Sequence, residues 1–269
     1  MAEDSEASLA APQSLDDQHE AAAQRADLAA LHAALAAGTH RRASSFELPR
    51  LLDQLRNATE TGDVAALCAA LAAGAATVVD SWRTGLSSKS ALGRVVETKQ
   101  GVDISVGRRT ACVRALLLAG ASASAPVLGH GGNGSHIALH DAAYLGLSTV
   151  CRLLLDAGAD VNARHMMLSG KYYTPLYYAA TRQPTLERAE RNQKAIALLL
   201  SRGAVDGPEV DKYESSSYLK KIRAAGGFAN YERQHRAMLV ARYTPKFSHL
   251  LPPELVSVVI SFWAHVGFY

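Results

Sequence analysis

The chain has 269 residues, 48% of them hydrophobic and 20% charged, with a formal net charge of +3. That is ample apolar material for a continuous core, and the near-neutral balance names no polyanion as an obligatory partner. Only 6% of residues are aromatic while alanine and leucine dominate, which suits close-packed short helices better than a β-sandwich. No apolar run reaches the roughly 18 residues of a membrane span, and the acidic start has no basic-then-apolar leader pattern. A cytoplasmic or nuclear protein with no membrane partner is expected.

Met1–Asp17 (MAEDSEASLAAPQSLDD) is acidic and Ser/Ala-rich without a periodic apolar face, and reads as a disordered tail. Repeats follow. AAQRADLAALHAALAAGT (Ala22–Thr39) aligns without gaps to ATETGDVAALCAALAAGA (Ala58–Ala75), so Leu31 matches Leu67 and Leu35 matches Leu71. ACVRALLLAGA (Ala111–Ala121), led by SALGRVVE (Ser90–Glu97), gives a third helix pair. IALHDAAYLGLSTVCRLLLDAGADVNA (Ile137–Ala163) is the fourth: helices over Ala138–Leu145 and Ser148–Ala157, with turns at Gly146 and Gly158. TPLYYAATR (Thr174–Arg182) with KAIALLLSRGA (Lys194–Ala204) is the fifth. Helices this short are marginal alone, so each pair requires neighbours.

The fourth unit resembles, nearly position for position, the ankyrin repeat, TPLHxAAxxGHxxVVxxLLxxGADVNA. The resemblance covers roughly residues 20–205 and implies an all-α fold, an ankyrin-repeat solenoid with long inter-repeat loops. Units are placed near 18–39, 51–76, 90–122, 137–163 and 174–206, the polar first one acting as a cap. Extra residues fall inside units three (Thr98–Arg109) and five (Gln183–Arg191), and between units at Val78–Lys89, Ala123–His136 and Arg164–Tyr173. They are expected as exposed loops, because lengthening a helix threatens the stacking register. Residues 209–246, with helices near Ser217–Gly227 and Ala229–Tyr243, read as a degenerate capping repeat. Phe247–Tyr269 reads as a helix starting at Pro252–Pro253, apolar on most sides and hence buried against something.

Chemistry is sparse. Gly129–His136 (GHGGNGSH) is glycine-rich but lacks a following Lys-Ser or Lys-Thr, so it is not a phosphate cradle, and Ser169–Lys171 is a loop turn. His136 and His140 stand four apart near Asp141 and Cys151, a pattern open to a metal. His140, however, occupies the repeat's TPLH position, where the resemblance implies a ring hydrogen-bonded to neighbouring backbone. Cys68, Cys112 and Cys151 lie within apolar helical runs and are expected as buried, reduced thiols rather than nucleophiles. Lys220, Lys221, Arg223, Arg233, Arg236 and Arg242 cluster near the C-terminus, yet Glu214 and Glu232 interleave with them. A solvated face is favoured there over nucleic-acid binding. No enzyme activity, cofactor or metal is expected.

The ankyrin resemblance implies a monomeric, non-enzymatic scaffold whose protein partner meets turn tips and concave helix faces. Carried over by position, the concave residues are Tyr144 and Leu145 in unit four and Thr181 and Arg182 in unit five. The tips add Trp82 and Arg83, and the segment with His165, Met166, Met167, Tyr172 and Tyr173, residue types favoured at interfaces. Loops that fold back over neighbouring units are the competing reading. LPPELVSVVISFW (Leu251–Trp263) in turn resembles the start of an F-box or the end of a SOCS box. That resemblance implies a substrate adaptor docking on a ubiquitin-ligase subunit, against a helix that seals the end of the array.

Overall fold

The computed structural model describes residues 15–37, 44, 46–78, 90–97, 104–126, 136–166, 170–181, 186–205, 216–247 and 249–265. The expectations placed on tail positions 1–14, on Trp82, Arg83, Met167 and Arg182, and on most of Gly129–His136 lie outside these residues. Among the described residues the helices are α1 (Leu15–Ala36), α2 (Leu48–Thr61), α3 (Val64–Ala72), α4 (Ala91–Val96), α5 (Val106–Leu118), α6 (Ala138–Tyr144), α7 (Ser148–Asp156), α8 (Pro175–Thr181), α9 (Leu186–Ser201), α10 (Ser217–Ala224), α11 (Phe228–Phe247) and α12 (Pro253–His265). One short antiparallel hairpin, β1 (His165–Met166) with β2 (Tyr172–Tyr173), interrupts this helical succession.

The chain divides into two units, one of Met1–Val79 with Thr98–Ala121, the other of Asp80–Glu97 with Ser122–Tyr269. In the first, α3 packs against α1, α2 and α5, and α1 also meets α5. Leu31, Leu55, Leu67, Leu71, Cys112 and Leu116 are buried between them. The two aligned stretches fold differently, for a reason visible in one residue. Gly62 takes φ +71° and ends α2, after which the Asp63 carboxylate accepts from the Ala66 amide and starts α3. At the matching place in the first stretch stands Ala26, which has no reason to turn, so α1 runs through as one helix instead of a pair. An ion pair between Glu20 and Arg108 joins α1 to α5 at the surface.

In the second unit the first helices α4, α6 and α8 pack in a row, and the second helices α7 and α9 pack beside each other. Leu139, Val150, Cys151, Leu154, Leu176, Ile196 and Leu199 form the buried seam. The segment Gln183–Arg191, expected as a loop, does not all form one: Leu186–Gln193 extend α9 by about two turns, and α5 likewise begins at Val106, inside the expected insertion Thr98–Arg109. An N-terminal extension adds turns beyond the packed segment and leaves the stacking register of Lys194–Ser201 untouched, so the helix-forming run LERAERNQ continues the helix without penalty. Asn192, buried in this extension, donates from Nδ2 to the Ala179 carbonyl at 2.8 Å and so ties α9 to α8. Further on, Asn162 donates to the Gly203 carbonyl at 3.1 Å and accepts from the Val205 amide at 2.8 Å, stapling the turn after α7 to the turn after α9.

The C-terminal helices lie close to the expected bounds, Ser217–Ala224, Phe228–Phe247 and Pro253–His265. α12 packs on α11 and buries Val256 and Ile260, four apart on one face. Its opposite face is open, with Leu255 48%, Val258 62% and Val259 53% exposed. The helix, apolar on most sides, is buried along one stripe.

Gly146 carries the tightest demand on the fold. It turns the chain between α6 and α7 at φ +68°, with the Leu147 amide bonded back to the Ala142 carbonyl at 2.9 Å. A Cβ there would stand 2.5 Å from Asn192 Oδ1 and 3.0 Å from Arg191 Cβ, whereas at Gly158 (φ +87°) a Cβ would meet nothing within 4 Å. Gly158→Ala should thus cost only backbone strain, about 1 kcal/mol, and Gly146→Ala distinctly more, about 2–4 kcal/mol once the clash is added. Urea-denaturation midpoints of the two variants check this, and equal losses would contradict the close approach.

Candidate functional site

A cluster of aromatic rings gathers at the root of the β1–β2 hairpin. The register His165↔Tyr173 and Met166↔Tyr172 sends alternate side chains to opposite faces. His165 and Tyr173 point inward, each 8% exposed, while Tyr172 on the other face is 47% exposed. Tyr173 lies against Tyr177 (centroids 4.1 Å apart), and Tyr177 meets Tyr178 edge-on at 5.9 Å. His165 Nδ1 and the Tyr178 hydroxyl are hydrogen-bonded at 2.8 Å, joining β1 to α8. Tyr144, at the end of α6, reaches Tyr178 at 6.4 Å. Burial, then the Asp141 carboxylate, push the Tyr178 hydroxyl up to about 12, so it stays protonated and keeps its hydrogen bond through the neutral range.

Three histidines complete the cluster. The His136 ring sits 4.6 Å from His165 and 5.0 Å from His140, and His140 lies 5.9 Å from His165. His140 is fully buried. Its Nδ1 accepts from the Ile137 amide at 3.2 Å, and its Nε2 bonds the Ala163 carbonyl at 3.1 Å. A carbonyl only accepts, so Nε2 carries the proton and Nδ1 the lone pair. The first bond reaches back to the N-cap of α6 and the second holds the turn before the hairpin, so one ring fixes both ends of the repeat. Burial, followed by the neighbouring His165, lowers its pKa to about 4, and burial lowers that of His165 as well.

The arrangement does not suit a metal. Both nitrogens of His140 are committed to backbone, and His165 Nδ1 is taken by the Tyr178 hydroxyl. Among the described residues no group of three His, Cys, Asp or Glu side chains is placed to hold an ion. The thiols are equally unreactive: Cys68, Cys112 and Cys151 are buried, and desolvation pushes them up to about 11, 12 and 12.

The side chains expected at a partner surface therefore divide. Tyr172 is exposed; Met166, Tyr144 and Leu145 are half-buried; His165 and Tyr173 support the hairpin from inside. Tyr177 and Tyr178 join this group although sequence reasoning passed over them. The signal was available in TPLYYAA, where Tyr177 stands at the place His140 has in the preceding unit. The strand pairing itself was hidden in a segment read as a loop, although two tyrosines beside Gly170 (φ +73°) make a hairpin signature.

Residues 136–166 match the family model of the ankyrin repeat. Curated proteins gave no match to the chain. Tyr178→Phe removes one bond of the cluster and should cost about 1 kcal/mol, while His140→Phe leaves the Ile137 amide and the Ala163 carbonyl buried without their partner and should cost about 2–5 kcal/mol. Thermal denaturation ranks the two, and a reversed order would mean that His140 is not the tie.

Proposed function

We propose that this ankyrin-repeat protein is a non-enzymatic interaction module that grips a protein partner through the β1–β2 hairpin and the adjoining ends of α6 and α8. Ankyrin repeats are a protein–protein interaction module, and the repeat at 136–166 ends on this hairpin. One observation carries the assignment to a particular surface. Tyr172 stands 47% exposed beside the half-buried Met166 on the outer face of a hairpin whose inner face is anchored by His165 and Tyr173. A rigidly mounted tyrosine and a thioether offer large contact area at low entropic cost to a partner. Tyr144 and Leu145 extend the same surface toward α6, and Trp82, Arg83, Met167 and Arg182 are assigned to it by position in the repeat pattern. No nucleic acid, membrane or cofactor enters this reading, and the monomer is its working unit.

A second reading rests on α12. Leu255, Val258 and Val259 follow the i, i+3, i+4 spacing of a helix face, and all three are exposed while Val256 and Ile260 hold the helix to α11. A stripe of this kind within Leu251–Trp263 suits docking on a ubiquitin-ligase subunit, with the repeats selecting the substrate.

Affinity capture from lysate followed by titration tests the first reading. Met166→Ala with Tyr172→Ala should weaken the captured partner by about tenfold or more at unchanged thermal stability, and unaltered affinity for every partner would remove the hairpin from the interface. The second reading separates by face. Val258→Asp with Val259→Asp should abolish retention of a ligase subunit and leave the melting temperature alone. Val256→Ala with Ile260→Ala should instead lower the melting temperature, by about 2–4 °C for each kcal/mol lost.

A further inference from the structure

The histidine cluster has a property that a merely packed core lacks. His136 precedes α6, His140 lies on α6 and His165 on β1, so three imidazoles from three segments meet within 5.9 Å of one another. From α6 the Asp141 carboxylate faces His136 Nε2 at 3.5 Å; from α8 come Tyr178 and Tyr177, and from β2 Tyr173. One carboxylate can offset one imidazolium. A second proton on the cluster would place like charges about 5 Å apart in a half-buried site, which is strongly unfavourable. A proton on His140 Nδ1 would also remove the lone pair that accepts from the Ile137 amide, exchanging that bond for one donated to the Ile137 carbonyl 3.3 Å away at the moment a buried charge appears.

We propose that His136, His140 and His165 form a pH-operated latch that holds the β1–β2 hairpin to α6 and α8 at neutral pH and releases it on acidification. The hairpin is the part that gives way, because β1 and β2 are two residues each and their attachment runs through His165–Tyr178 and the Ala163 carbonyl. The sign follows from linkage. His140 and His165 bind protons less readily in the closed form than in the open one, so closed-form stability is full above the ordinary histidine value and is lost as pH falls through it toward the lowered values. With His140 at about 4 closed and 6.5 open, this ring contributes roughly a twentyfold rise in the opening equilibrium between pH 7 and pH 5. His165 adds to it in the same direction. The latch needs no partner to operate, so it stands or falls independently of the interface proposed above.

Amide hydrogen exchange on the full chain, with protection factors corrected for intrinsic pH dependence, reads the latch directly. Between about pH 7.5 and about pH 5, protection of the amides at 137–140 and in the hairpin should fall by about tenfold or more, ahead of the amides of α7 and α9. His136→Phe with His165→Phe keeps two rings and removes two charges, and should reduce that fall by about threefold or more. A wild-type change below about threefold, or a variant that loses as much protection as the wild type, would overturn the proposal. Should the variant fail to fold, imidazole C2-proton titration of the wild type decides. Two rings resisting protonation until hairpin protection is lost supports the latch, and three rings titrating at the ordinary value with the hairpin intact refutes it.

Discussion

Shortness is the constraint on which this structure depends. α6 and α8 have 7 residues each and α7 has 9, lengths at which an isolated helix is unstable in water. Each exists because a neighbour covers Leu139, Leu154 or Leu176, and because its unpaired terminal groups are met by something other than solvent. His140 meets the Ile137 amide at the start of α6 and the Ala163 carbonyl beyond α7, Asn192 meets the Ala179 carbonyl of α8 within its own pair, and Asn162 links the turn after α7 to the turn after α9. The polar side chains His140, Asn162 and Asn192, the first and last of them buried, are thus the joints between helices too short to stand alone. Losing one partner of such a joint costs more than the bond itself is worth, because what remains is a buried group without water.

The same economy shapes the surface at the hairpin. Rings that seal the root of β1–β2 from inside leave Tyr172 and Met166 mounted on the outside, so the turn between repeats gains a stiff base. The imidazoles that provide this stiffness are titratable, and a joint made of them is firm only while they are neutral. Exposed and buried faces on α12 divide in a comparable way, with Val256 and Ile260 holding and Leu255, Val258 and Val259 presented.

How much of this could be read from residues alone differs from place to place. The fourth unit was legible nearly to the residue, since Gly146 and Gly158 mark its turns and Val150 and Leu154 its buried stripe, and the ankyrin match falls on that unit. The first stretch was not, because an alignment that scores Leu31 with Leu67 gives no weight to Ala26 standing where Gly62 must turn. Insertions were read as loops from the rule that stacking register is preserved. A helix extended at its free end obeys that rule too, as α9 does. Composition along Leu255–Ile260 predicted burial, but hydrophobicity says what a helix could bury, and the geometry of α11 decides how much of it is covered. The ring cluster was invisible for a different reason: His136, His165 and Tyr178 are brought together by the hairpin, and no periodicity within one helix links them.

The close approach of Gly146 to Asn192 bears on modularity. Repeat arrays owe their evolutionary freedom to units that accept any neighbour, so that copies can be duplicated, deleted or transposed. Here the turn of one unit has no room for a Cβ because the extended helix of the next places Asn192 there, and that asparagine in turn bonds Ala179. The helix pairs α6–α7 and α8–α9 are therefore keyed to each other, and neither is a free module. A duplication of either would juxtapose a turn and a helix that lack the matching key, so these two helix pairs are held to a fixed order by the close approach of Gly146 to Asn192.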